Sequence, residues 1–258
     1  MGPSTDTCTP SAALGLAPIS RPALGLLVSE PWRAAVELAA HRLGRGFSKV
    51  QQQGDGHPVV IFPGLAADGH AVATLRDHCT ALGYTAFDWG RGLNVGPRGD
   101  VDAWMANLAA HVSELLERHE GRATLVGWSL GGLYARELGK LLAPQVRRVI
   151  TIGTPFNAEA DHSHVGWLYR LLNGAPARID AAMSRRLRTP PPVPTASIYS
   201  RNDGIVAWQT CIHGPQEHAS GLVRDLEVDS SHIGMVWNPR VLNAVGELLA
   251  LPGTGQHG

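Results

Sequence analysis

The chain has 258 residues, 44% hydrophobic and 17% charged, enough for one α/β domain with a sizeable core and too apolar to stay disordered. Its 22 Lys and Arg balance 22 Asp and Glu, so the net charge points to neither nucleic acid nor an anionic membrane. No apolar run approaches the roughly 20 residues of a membrane span. Residues 1–29 lack a basic start, and Pro10, Pro18, Arg21 and Pro22 interrupt their apolar stretches, so they do not read as a signal peptide. Cys8, Cys79 and Cys211 fit no C-x-x-C pair. They read as reduced thiols of a cytoplasmic protein, the alternative being one disulfide and a free thiol.

In chain order, the first expected element is a helix over 31–47. Pro31 suits its start, and Trp32, Val36, Ala39, Leu43 and Phe47 form one apolar face. After a polar, glycine-rich loop, 59–62 is a short apolar run of the kind a strand buried on both faces shows. A helix over 71–82, a strand over 84–89 and a helix reaching 119 follow. Asp100 or Asp102 caps that last helix, with Met105, Leu108, Val112 and Leu115 or Leu116 inward. Then come a strand over 123–128, a helix over 130–142, a strand over 146–152, later strands over 196–200 and 222–228, and a closing helix over 239–249. This alternation predicts a mostly parallel sheet of about six strands with helices on both faces. Between 156 and 195 it breaks for about forty residues, either a lid or a packed excursion.

Gly127-Trp128-Ser129-Leu130-Gly131 lies where the strand over 123–128 meets the next helix. A serine nucleophile needs a sharp strand-to-helix turn, and glycines on both sides leave room for it. Serine also needs a base, and the base an orienting acid. In a nucleophile-elbow fold these follow in the order serine, acid, histidine. Asp203 follows the strand over 196–200, and His232 follows the strand over 222–228. Both fall on loops at carboxyl ends of strands, where sites assemble. Asp225 and Asp229 are the fallback acids, and His213 and His218 read as surface histidines. The oxyanion donors are expected to be the N–H of Leu130 and, from the loop 62–69, that of Leu65.

At these residues the chain resembles the α/β-hydrolase superfamily, in its esterase/lipase branch. The resemblance rests on FPGLAADG, GWSLGG, ITIGTPF, YSRNDGIV and SSHIGM, in that order between Val59 and Leu249. Two departures stand out. Pro63-Gly64 replaces the His-Gly of many relatives, and the helix near 31–47 takes the place of the two strands that usually precede Val59. The resemblance implies an α/β-hydrolase fold with a reduced sheet, and no cofactor. The expected organisation is a flexible leader 1–30, a single domain 31–251 with an insertion about 157–194, and a flexible tail 252–258.

Within the insertion, Trp167, Leu168, Leu171 and Leu172 either line an acyl pocket or pack the insertion down. Trp128 either shapes the pocket or packs against the sheet. Asp161-His162-Ser163-His164 has metal-site residue types at a spacing too weak to expect a metal. The glycine-rich run 90–99 is expected on the catalytic face. The expected activity is hydrolysis of small-molecule or lipid-like carboxylic esters through an acyl-enzyme. An acyltransferase or thioesterase with the same triad, or a binding protein on this fold, are the alternatives. The oligomeric state stays open.

Overall fold

Side chains alternate along a strand, so Val59 and Ile61 of β1 (Pro58–Phe62) face one side of the sheet and Val60 and Phe62 the other. All four are buried, each by roughly 1.5–3 kcal/mol relative to exposure. The computed structural model describes residues 19–44, 54–157 and 181–253. In it β1 belongs to a six-stranded sheet in the order β2-β1-β3-β4-β5-β6. The other strands are β2 (Thr85–Asp88), β3 (Ala123–Trp128), β4 (Val146–Ile152), β5 (Thr195–Tyr199) and β6 (Val223–Glu227). Every pairing is parallel. The edge strands β2 and β6 are the more exposed ones, because each lacks a neighbour on one side.

Helices α2 (Ala73–Ala81) and α6 (Pro239–Ala250) cover one face through Leu75, Cys79, Val241, Leu242 and Val245. Helices α3 (Val101–Leu116) and α4 (Leu130–Leu141) cover the other through Leu108, Val112, Leu133 and Leu138. Asp100 is the cap of α3, its carboxylate accepting from Ala103 N–H at 2.8 Å. In the latter part of the expected insertion, helix α5 (Ala181–Arg188) is tied to α4 by Arg186 Nε donating to Glu137 Oε2 at 2.6 Å. The earlier part of that insertion lies outside the described residues.

From β1 the chain steps outward to β2 and returns across β1 to β3. Such a reversal of strand order opens a crevice at the carboxyl ends of the flanking strands. Here these ends carry Pro63-Gly64 and Ser129.

The first helix differs from its sequence expectation. Helix α1 runs over Leu24–Arg42 with Pro31 inside it, so it begins within the stretch expected to be a leader. Its expected apolar face is turned outward: Trp32 is 74% exposed, Val36 51% and Leu43 66%. The inward face carries Glu30 and Ala34 instead, with Glu37 reaching Ser230 and Ser231. The cause is electrostatic. Two loops beneath α1 present backbone N–H groups that need acceptors, and buried polar groups must be paired; the two carboxylates supply them.

Candidate active site

The turn after β3 places Ser129 at φ 54°, ψ −120°, a left-handed backbone that a non-glycine residue rarely adopts. Neighbouring glycines make it feasible. A Cβ on Gly127 would strike the backbone of Gly131, and one on Gly131 would strike the carbonyl of Phe62. Ser129 N–H donates to Ile152 O at 2.8 Å, which ties the turn to the end of β4.

Asp203 sits on the loop after β5 and His232 on the loop after β6. His232 Nδ1 lies 2.6 Å from Asp203 Oδ2, and His232 Nε2 lies 3.1 Å from Ser129 Oγ. A carboxylate only accepts, so Nδ1 carries the proton and Nε2 accepts from the serine hydroxyl. The other oxygen of Asp203 accepts from Ile205 N–H at 2.8 Å and Val206 N–H at 2.6 Å, which fixes the carboxylate plane. All three side chains are buried. Burial by itself pushes the His232 pKa down. The charge of Asp203, its hydrogen bond and the charge of Glu30 outweigh burial, and the net shift is upward.

Gly64 faces this group. A Cβ there would lie 3.0 Å from the Trp128 ring and 3.3 Å from Ser129 Cβ. Leu65 follows it, half-buried. Ala66 and Ala67 give their N–H groups to Asn94 O and Gly64 O. Leu130 opens α4, so its N–H has no acceptor within the helix. Trp128 is buried, and its indole N–H donates to His232 O at 3.1 Å, a strut between the serine and histidine loops. Trp167, Leu168, Leu171 and Asp161–His164 lie outside the described residues. Among the described residues no group of three or more His, Cys, Asp or Glu side chains is placed to hold a metal ion.

The run 90–99 follows β2 and reaches the loop after β1. Asn94 is fully buried, exchanges backbone hydrogen bonds with Ala66 and Ala67, and donates from Nδ2 to Pro63 O at 2.8 Å. The expectation of surface histidines is corrected for His213, which is 3% exposed. Its Nδ1 and backbone N–H donate to Asp225, and Arg136 Nη1 donates to its Nε2 at 2.9 Å. Burial lowers the pKa of His213 and, to about 9, that of Arg136. His218 is exposed, as expected, and shares Asp225. Asp225 is thus engaged away from His232, and Asp229 accepts from Asn202 and Arg240.

Glu30, Glu37 and Asn94 went unmarked in the sequence. Glu30, Ala34 and Glu37 recur at helical spacing, but a polar stripe reads as a solvated face unless its partners are known.

A parallel sheet with a strained serine elbow, and an aspartate and a histidine on the last two strand-end loops, defines the α/β-hydrolase class. The model of the alpha/beta hydrolase family matches residues 59–233, and the chain belongs to that family. No curated protein sequence matches the chain. Among solved structures it is similar to the mature lipase BlEst2 of Bacillus licheniformis, with 19% identity, coverage of 79% of this chain and 96% of that one, and a TM-score of 0.59. The Pyrococcus furiosus esterase is 16% identical, with 81% and 92% covered and a TM-score of 0.55. The thioesterase domain from the curacin biosynthetic pathway is 12% identical, with 76% and 92% covered and a TM-score of 0.51. At these identities the likeness is one of fold.

Proposed function

We propose that the protein is a serine hydrolase that cleaves carboxylic esters through an acyl-enzyme. Ser129 is the nucleophile, His232 the general base and Asp203 the acid that orients it. The observation that carries this reading is the pair of hydrogen bonds from Ser129 Oγ through His232 to Asp203, at 3.1 and 2.6 Å. As Ser129 Oγ attacks the ester carbonyl, Nε2 takes its proton, and Asp203 stabilises the imidazolium. The carbonyl oxygen, now negative, accepts from Leu130 and Leu65 N–H. His232 returns the proton to the departing alcohol. A water, deprotonated by the same nitrogen, then attacks the acyl-enzyme, and His232 returns that proton to Ser129 Oγ as the ester bond to it breaks and the acid is freed. Leu93 and Val95, both exposed, flank the Asn94 that braces the loop carrying Leu65; their apolar surface suits an aliphatic acyl chain.

The test is labelling with a fluorophosphonate, followed by p-nitrophenyl esters of increasing chain length beside an acyl thioester. The expected result is labelling of wild type, none of Ser129→Ala, slow labelling of Asp203→Asn and His232→Ala, and ester turnover. A folded wild type inert to the probe overturns the reading. Turnover confined to the thioester moves the substrate class to thioesters.

A further inference from the structure

In this chain helix α1 precedes the first strand of the sheet and packs beside the loops after β5 and β6, where it delivers a carboxylate to the backbone N–H of the proposed base. Glu30 of α1 is 2% exposed. Its Oε1 accepts from Gly204 N–H at 2.8 Å and from His232 N–H at 3.1 Å, and its Oε2 from Ile233 N–H at 3.3 Å. One carboxylate therefore joins the residue after Asp203 to the backbone of His232 itself. Arg33, one turn along, donates to Glu30 Oε1 at 2.8 Å and to Asn202 O at 2.6 Å, holding the same acid loop from the outside. Close approach is built into the sequence. A Cβ on Gly204 would lie 2.5 Å from Leu26 O, so only glycine lets α1 come down onto this loop.

We propose that Glu30 is a positioning residue for the His232–Asp203 pair, setting the distance between the two loops and adding negative charge beneath the imidazolium. The inference rests on the serine hydrolase reading. In the structure His232 bonds Asp203 on the β5 loop through its ring Nδ1 and Glu30 on α1 through its backbone N–H. Arg33 partly neutralises Glu30, and Glu37 of α1 bonds Ser230 and Ser231. Ser129 faces the far side of the ring, and Cys211 lies near Asp203, its thiol held neutral by burial. The Glu30 charge acts in the same direction as that of Asp203, favouring the protonated ring. This matters at the tetrahedral intermediate, where His232 is positive.

The variants separate geometry from charge. Glu30→Ala leaves the N–H groups of Gly204, His232 and Ile233 without their buried acceptor. Glu30→Gln keeps an acceptor oxygen and removes the charge. Fluorophosphonate labelling rates are measured against pH for both, with Glu37→Gln as the variant that disturbs the same helix without touching His232. The expected result is a loss of at least about tenfold in the labelling rate of Glu30→Ala, the scale of a misplaced reacting group. Glu30→Gln is expected to label faster than Glu30→Ala, with its pH midpoint moved below that of wild type, while the midpoint of Glu37→Gln stays in place. If Glu30→Ala does not fold, the midpoint of Glu30→Gln decides alone. Wild-type rate and midpoint in Glu30→Gln, with wild type itself labelled, overturn the inference and leave the serine hydrolase reading standing. Failure of wild type to label removes that reading instead.

Discussion

Asn94 Nδ2 donates to the Pro63 carbonyl at 2.8 Å, across 31 positions of sequence. The bond pins the start of the loop that carries Leu65. The same side chain accepts from Gly96 N–H at 3.1 Å and Tyr134 O–H at 3.2 Å. Asn94→Ala strips all these groups of their partner in a fully buried place, at a cost on the order of 2–4 kcal/mol. We expect a lower urea midpoint and slower fluorophosphonate labelling than in wild type. Unchanged labelling in a destabilised Asn94→Ala would mean that the loop holds its shape without the amide.

The raised pKa of His232 sets a pH dependence with a definite sign. Under the proposed mechanism His232 must be neutral to act as base, so labelling should rise with pH through a midpoint above the ordinary 6.5. Asp203→Asn removes the main raising influence and leaves burial, which lowers the pKa, opposed only by the charge of Glu30; its midpoint should fall along with its rate. For stability the direction is opposite. A histidine raised in the folded state contributes fully below its unfolded value and loses that contribution as pH climbs through the folded one. Titration of the His232 ring by NMR checks both.

Backbone clearance at the elbow predicts a steep cost for one methyl group. In Gly131→Ala the new Cβ meets the carbonyl of Phe62 and, at 2.6 Å, that of Pro63. Helix α4 must lift from β1, at about 3 kcal/mol or more, and labelling should fall with it. Gly25→Ala on α1 meets nothing within 4 Å. Relief of glycine's unfolded-state freedom should leave it as stable as wild type or up to about 1 kcal/mol more so. Thermal unfolding of the pair gives the comparison.

Buried thiols should be silent in the native protein. Burial raises Cys79 to about 12 and Cys211 well above its ordinary value, and both are free and buried. In a Cys8→Ser background, iodoacetamide at about pH 8 should modify neither site until denaturant is added, since only the thiolate reacts. Mass spectrometry counts the adducts. Rapid native alkylation of Cys79 would show that α2 opens from the sheet.

Much of this protein is local. The apolar runs of β1 and β3 became strands because only a two-sided burial suits them, and Gly127, Gly131 and Gly132 announce the tight turn at Ser129. Once that turn is recognised, strand-end placement brings Asp203 and His232 within reach of it. What periodicity could not give was the face of α1. Trp32 and Val36 carry the stronger apolar signal, yet Glu30 faces inward because its acceptors' partners lie 202 positions away at His232 and 174 away at Gly204. The same holds for Asn94 and for His213, whose burial is decided by Pro63 and by Arg136. Whether an apolar strand is buried depends on its own side chains, and the sequence alone determined it. Whether a polar group is buried depends on a remote donor or acceptor, and only the tertiary structure brings the two together.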